Sequence, residues 1–161
     1  MTTAADDLGA EDAARVARLV GAYLEVDARM RELPIYNGRM RVEALGFRTI
    51  NEGLLGVMIT PWVISAALVR VPAPPPGTRR VALPSGAYEF TTTELSSSGV
   101  LETCSFLSPV LQLADQSAAR AFAAVALRAL LEPCAGRSQA DAGAIGRRGL
   151  VGALLGREGS R

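Results

Sequence analysis

The chain has 161 residues, the length of one domain, and 49% of them are hydrophobic, which is enough to form a core. Its 17 basic and 16 acidic residues give a net charge of +1, so charge offers no reason to expect nucleic acid or an anionic membrane as the main partner. Every basic residue is Arg. The absence of His and Lys excludes a catalytic His, a His metal ligand and a Schiff-base Lys.

The first predicted element is an amphipathic helix over residues 11–31. Acidic residues lie at its start, where the helix dipole favours negative charge. Pro34 and the Asn37-Gly38 turn end it. Its apolar side chains recur at helical spacing and form one stripe: Val16, Leu19, Val20, Tyr23 and Leu24. The pattern predicts a helix that packs one face against the rest of the domain.

The middle of the chain is predicted to form strands. Apolar and charged residues alternate over 40–44, and Gly46 favours a bulge where the alternation slips. A turn at 51–53 then leads into 54–60, which is apolar throughout and therefore predicted to be a central strand. For 63–69, periodicity allows either a strand or a short helix.

The uncharged run between Glu52 and Arg70 raises the question of a membrane span. It is shorter than the roughly 20 residues that a spanning helix needs. Pro61 stands in its middle, where a helix would break. We therefore expect no membrane span and interpret the run as two buried strands that meet at a bend.

The second half continues with strands and closes with a helix. The proline-rich stretch 72–77 predicts an exposed connection, and strands are expected at 81–83, 88–93 and 100–106. A second helix is predicted from the N-cap Asp115 to residue 132, where Pro133 stops it. Its stripe consists of Phe122, Val125, Ala126, Ala129 and Leu130, widened by Leu127 and Leu131.

This order of elements predicts an α+β fold in a single domain, with an antiparallel sheet packed against two long helices. We place the domain at residues 1–132. The segment 133–161 is rich in Gly and Arg and is expected to be a flexible C-terminal tail, since no helical or strand period runs through most of it.

The sequence offers little chemistry. Cys104 and Cys134 do not form a Cys-x-x-Cys pair, and no glycine-rich phosphate loop is present, so we expect no metal and no organic cofactor. The polar N-terminus lacks the features of a secretory signal, which favours a cytoplasmic location and reduced thiols. Cys104 shares strand parity with Phe106 and is interpreted as a core thiol. A redox role for it is the alternative.

Two sites are candidates for binding a partner. Thr60, Pro61 and Trp62 stand between two apolar segments, and Trp62 is either a core residue at a bend or an aromatic anchor at a partner surface. Arg147 and Arg148 precede a short leucine-rich stretch, which is either a passive tail or a segment that orders on a partner.

Several stretches together resemble one family, the nickel–iron hydrogenase assembly chaperones of the HybE/HupJ/HoxT type. They occur in the family's order between about residues 34 and 155, and Arg147-Arg148 is similar to the family's C-terminal end. The blocks that carry the resemblance are Arg41–Arg48, Gly56–Trp62 (Gly-Val-Met-Ile-Thr-Pro-Trp), Leu83–Phe90, Cys104–Pro109 and Ala114–Arg120.

The resemblance implies a non-enzymatic cytoplasmic accessory protein that acts during hydrogenase maturation before export. Its implied partners are hydrogenase subunit precursors, small or large, and other maturation proteins, without nucleic acid. Some HupJ-type members carry a rubredoxin domain with paired Cys-x-x-Cys motifs, which this sequence lacks. The alternative function, from another class, is a small redox or ligand-binding protein built around Cys104.

Overall fold

The computed structural model describes residues 8–133. Within that range two helices flank six strands, in the order that the sequence pattern predicts. The elements are α1 (Ala10–Met30), β1 (Glu43–Ile50), β2 (Gly53–Ile59), β3 (Ile64–Val69), β4 (Thr78–Leu83), β5 (Gly86–Leu95), β6 (Gly99–Leu107) and α2 (Gln116–Leu131). The expectations for Cys134 and for the tail at 134–161 concern residues outside this described range.

The six strands form one antiparallel sheet in the order β1-β2-β3-β6-β5-β4, with β1 and β4 at its edges. The predicted α+β class and the antiparallel sheet are confirmed. The ambiguous stretch 63–69 is the strand β3, which pairs on both sides and is buried on both faces. A continuous apolar run fits a strand with that environment.

Two glycines of the sheet lie where neighbouring side chains come close to the backbone. Gly46 lies where the β1–β2 register shifts and has a φ of 68°, so the predicted bulge is confirmed. A Cβ there would also collide with Leu127 of α2. Gly56 lies against the ring of Phe47, which would overlap with any side chain at that position. Gly46 is favoured mainly by its positive φ, since the end of the Leu127 side chain could move aside, whereas at Gly56 the aromatic ring leaves no room for a side chain.

The two helices cover opposite faces of the sheet. Alternate residues of β2 separate into two buried clusters, as the period of two in a strand requires. The α2-side core includes Leu55, Val57, Ile59, Phe90, Phe106, Ala119, Ala123, Ala126, Leu127 and Leu130. The α1-side core includes Leu19, Ala22, Tyr23, Phe47, Leu54, Met58, Trp62, Leu95 and Leu101.

The predicted helix stripes were wrong at one position each. Leu24 of α1 is 52% exposed, and Val125 of α2 is 45% exposed. The face of α1 that packs on the sheet does not include Leu24. Its buried residues are Leu19, Ala22, Tyr23 and Asp27. In α2, three alanines face the sheet and allow close approach, which leaves the bulkier Val125 at the side.

Candidate partner-binding surface

Thr60, Pro61 and Trp62 form the turn between β2 and β3, and all three are buried. The Thr60 hydroxyl donates to the Val63 carbonyl at 2.7 Å and accepts from the Val63 N–H at 3.0 Å. A threonine whose side chain bonds the backbone in this way stabilises a tight turn. Thr60 therefore has a structural task in this turn.

Trp62 belongs to the α1-side core, with 9% of its surface exposed. It shares that cluster with Leu19 and Tyr23 of α1 and with Met58 of β2. Of the two interpretations of Trp62, burial fits the core residue at a bend. Arg147 and Arg148 lie outside the described residues.

Asn37 joins three loops at this end of the sheet. Its backbone N–H donates to the Pro61 carbonyl at 2.8 Å, and its side-chain amide donates to the carbonyls of Val110 and Leu113, each at 3.0 Å. The loop before β1, the β2–β3 turn and the loop before α2 are thereby held together. The sequence pattern identified Asn37 as a turn residue but gave no sign of these long-range bonds, whose partners lie up to 76 positions away.

The joined loops expose large apolar side chains. Leu33 is 44% exposed, Ile35 is 38% exposed, and Leu111, next to Val110, is 52% exposed. We call these three residues the apolar loop surface. Sequence reasoning missed it because loops have no hydrophobic period that would mark a face. The exposure of these three side chains on loops that Asn37 joins makes them a candidate surface for a partner protein.

A polar network fixes the loop to the end of α1. The Tyr36 hydroxyl donates to Asp27 at 2.9 Å, and the Arg31 guanidinium donates to the same carboxylate at 3.3 Å. Desolvation raises the pKa of Tyr36, and the hydrogen bond to Asp27 raises it further. Asp27 is 6% exposed, so its two donors compensate a charge that is otherwise costly to bury. Leu33 and Ile35 thus lie on an anchored loop.

Cys104 lies in the α2-side core and is 5% exposed. Its neighbour in the β3–β6 pairing is Ala66, which is also fully buried. A buried cysteine on the inner face of a strand packs as a small hydrophobic residue. This environment fits the core interpretation of Cys104.

Glu102 is the most deeply buried charged side chain of the described residues, with 1% exposed. Arg79 of β4 donates to its carboxylate at 2.8 Å, and Arg70 approaches it at 3.7 Å. The hydrogen bond from Arg79 to Glu102 raises the pKa of the guanidinium. This group joins β4, β6 and the chain segment after β3, so it stabilises the sheet.

Comparison with known proteins connects this architecture with a family. The NiFe-hydrogenase assembly chaperone HybE family matches residues 14–153, and the match extends into the segment 133–161. The chain belongs to this family, which is a family of assembly chaperones. Within residues 8–133, no helix is long and apolar enough to cross a membrane.

Individual relatives agree with that assignment. The chain is 42% identical over 137 residues to the hydrogenase expression/formation protein HupJ of Bradyrhizobium diazoefficiens, covering 83% of this chain and 81% of the relative. It is 40% identical over 141 residues to HoxT of Azotobacter vinelandii, covering 83% and 92%. The solution structure of HybE from Escherichia coli has the same fold, with a TM-score of 0.58 at 24% identity over 77% of this chain and 86% of that one.

Proposed function

We propose that this protein binds an immature nickel–iron hydrogenase subunit in the cytoplasm, and that the apolar loop surface makes the contact. The family is one of hydrogenase assembly chaperones, which supplies the class of partner. The single observation that carries the location is the exposure of Leu33, Ile35 and Leu111 on loops joined by Asn37.

The physical argument rests on what these side chains do in water. Each exposed leucine keeps apolar surface hydrated, and a partner that covers it gains about 25 cal/mol for each Å² buried. Because hydrogen bonds hold the loops in place, little conformational entropy is lost on binding. Such a surface binds a protein by contact alone and needs no catalytic group, in agreement with a non-enzymatic role.

In this proposal, the buried candidates Thr60, Pro61 and Trp62 hold the apolar loop surface in position. The Asn37 N–H donates to the Pro61 carbonyl, so the β2–β3 turn fixes the position of the preceding loop, residues 33–36. Arg147 and Arg148 are proposed to add charged contacts to the same partner, since Arg is over-represented among residues that dominate binding energy.

The test is capture of a hydrogenase subunit precursor by purified protein. The double change Leu33→Ser and Leu111→Ser should weaken capture by about thirtyfold, the effect of removing roughly 2 kcal/mol of hot-spot contact. The thermal midpoint should change little because both side chains are exposed. Leu24→Ser is the matched control, since Leu24 is equally exposed but lies on α1. Equal capture by the unchanged protein, the double variant and the Leu24→Ser control would refute the proposed surface.

Trp62→Ala separates support from direct contact. We expect a loss of about 3–5 kcal/mol in the free energy of unfolding, as for other buried aromatic residues. At a temperature where the variant is folded, it should capture the subunit precursor as well as the unchanged protein does. Normal melting with weakened capture would instead make Trp62 an anchor that touches the partner.

The change Arg147→Ala with Arg148→Ala should leave melting unchanged and weaken capture modestly, by about fivefold for the loss of two charges. Unchanged capture would remove these two residues from the proposal and leave the apolar loop surface as its basis.

A further inference from the structure

Helix α2 leaves an apolar stripe uncovered within residues 8–133. Val125 is 45% exposed and Ala121 is exposed, whereas Phe122 and Ala129 are partly buried beside them. Residues one, three and four positions apart in this order lie along one flank of a helix. We call these four residues the outer stripe of α2.

The outer stripe carries no charge. Only two of the 16 residues of α2 are charged, namely Arg120 and Arg128. Arg120 is bound by Glu43 at 2.9 Å, and Arg128 approaches Glu132 at 3.8 Å. In α1, by contrast, seven of the 21 residues are charged. A helix that is apolar on its outer side as well as its inner side is typical of one that another segment covers.

The chain leaves the described range close to this stripe. The Leu130 carbonyl, in the last turn of α2, accepts from the Ser85 N–H at 3.3 Å and from the Ser85 hydroxyl at 2.8 Å. These bonds fix the end of the helix to the β4–β5 turn. Since α2 ends at Leu131 and a helix rises about 1.5 Å per residue, this end lies about 9 Å along the axis from Val125.

One segment beyond the described residues has the composition to cover the stripe. In 134–161, four of the five large aliphatic side chains fall within 149–155. Glycines at 149, 152 and 156 disfavour a helix that stands alone, so this segment needs a surface in order to become helical. Helical spacing would place its four aliphatic side chains on one face: Leu150, Val151, Leu154 and Leu155.

The intervening residues 134–148 are long enough for this segment to return to α2. Fifteen residues span up to about 50 Å, and α2 with its 16 residues is only about 24 Å long. A flexible tether of this length gives an effective concentration of about 1 mM, so even a contact that is weak between separate molecules is populated within one chain. The family match runs to residue 153 and thus includes most of the segment.

We infer that residues 149–155 pack on the outer stripe of α2 of the same chain. The aliphatic side chains of the segment contact Val125 and Phe122, and the small side chains of Ala121 and Ala129 allow the two backbones to approach closely. The contact removes the exposed surface of Val125 from water, which is favourable. It is a contact within the chain and does not depend on the proposed function.

Amide NMR spectra of the full chain test the inference. In the double variant Leu150→Ser, Leu154→Ser, the amide signals of residues 121–129 should shift, while those of α1 stay in place. Ile145→Ser is the matched control, because Ile145 lies in the same part of the sequence but outside the segment. Unchanged signals of α2 in the double variant, or equal shifts in the control, would overturn the inference.

The reciprocal change is made on the helix. Val125→Ser should shift the amide signals of Leu150 and Leu154 and lower the thermal midpoint by about 2–4 °C. Val71→Ser is the matched control, since Val71 is 73% exposed and lies after β3, away from the stripe. Combined with the double variant, Val125→Ser should lower the midpoint little further, because the contact is already lost. Full additivity would show that stripe and segment do not touch.

Dilution separates this contact from one between molecules. The amide shifts should be the same at tenfold lower protein concentration, because both partners belong to one chain. Shifts that disappear on dilution would mean that a second copy supplies the segment, and the inference would be wrong. None of these measurements uses a hydrogenase subunit, so failure here leaves the proposed function untouched, and failed capture of a subunit precursor leaves this contact untouched.

Discussion

The two faces of the sheet are covered to different extents. On the α2 side, burial reaches the edge strand β4, where Val81 is fully buried and Leu83 is 8% exposed. On the α1 side, the helix covers the other half of the sheet, and Thr78, Arg80 and Thr91 are exposed. Threonine hydroxyls occupy the uncovered part, and those of Thr78 and Thr91 lie 3.0 Å apart.

One sheet therefore serves two purposes. The more extensively covered face supplies most of the hydrophobic free energy that holds the fold together, roughly 25 cal/mol for each Å² of apolar surface buried. The partly covered face leaves room at the margin of α1 for the anchored loop that carries Leu33. Stability is therefore expected to depend most on the α2 side.

The largest expected effect compares two neighbours on β5. Phe90→Ala should lower the free energy of unfolding by about 3–5 kcal/mol, because Phe90 is fully buried on the α2 side. Thr91→Ala, on the exposed side, should cost less than about 1 kcal/mol. Urea unfolding of both variants measures the difference. Similar losses for both would show that the two faces contribute equally.

The next effect concerns charge on the α2 side. Glu102→Ala should cost about 3 kcal/mol, because Arg79 loses the carboxylate that compensates it in a partly buried position. The control is Glu132→Ala, which breaks the exposed Arg128–Glu132 pair and should change stability by less than about 0.5 kcal/mol. If Glu102→Ala unfolds at the same urea concentration as the control, this ion pair does not hold β4 to β6.

Tyr23 provides a pH test of the α1 side. Burial raises its pKa from 10.0 to about 12, although a hydrogen bond with Ser65 lowers it in part. Between those two values the unfolded chain releases the phenol proton and the folded protein keeps it. Stability is therefore fully present below pH 10 and falls by about 2–3 kcal/mol as the pH rises to 12. Tyr23→Phe should flatten this part of the unfolding profile, and an unchanged slope would contradict the assignment to Tyr23.

The smallest effect compares the two helix starts. Asp115 caps α2 by accepting from the Ala118 N–H at 2.8 Å, whereas Gly9 at the start of α1 has no side chain to do so. Asp115→Ala should cost about 1 kcal/mol, and Gly9→Asp should add a few tenths. Thermal unfolding measures both. An unchanged thermal midpoint for Asp115→Ala would show that this cap contributes nothing to stability.

Much of the fold could be predicted from local patterns. Turn residues at 51–53 and the N-cap Asp115 act within a few positions of themselves, so a single sequence reveals them. The slip in alternation at Gly46 likewise predicted the bulge that the structure contains. Resemblance to a known family predicted the assembly-chaperone class, which the family match confirms.

The candidate surface was less predictable. The lone Trp62 attracted a binding hypothesis because of its residue type, but whether a tryptophan faces a partner or a core depends on what packs over it. The exposure of Leu33 and Leu111 likewise depends on loops that meet only after folding.

The order and kind of the elements follow from local sequence, because helix and strand periods, caps and turns depend on neighbouring residues. The absence of His and Lys chemistry follows from the sequence as well, since composition needs no structure. Which helix covers which face, and where apolar loops stay exposed, depends on the tertiary structure. Those properties arise from contacts between residues far apart in the chain, such as Asn37 with Leu113 and Arg79 with Glu102, which no local pattern encodes.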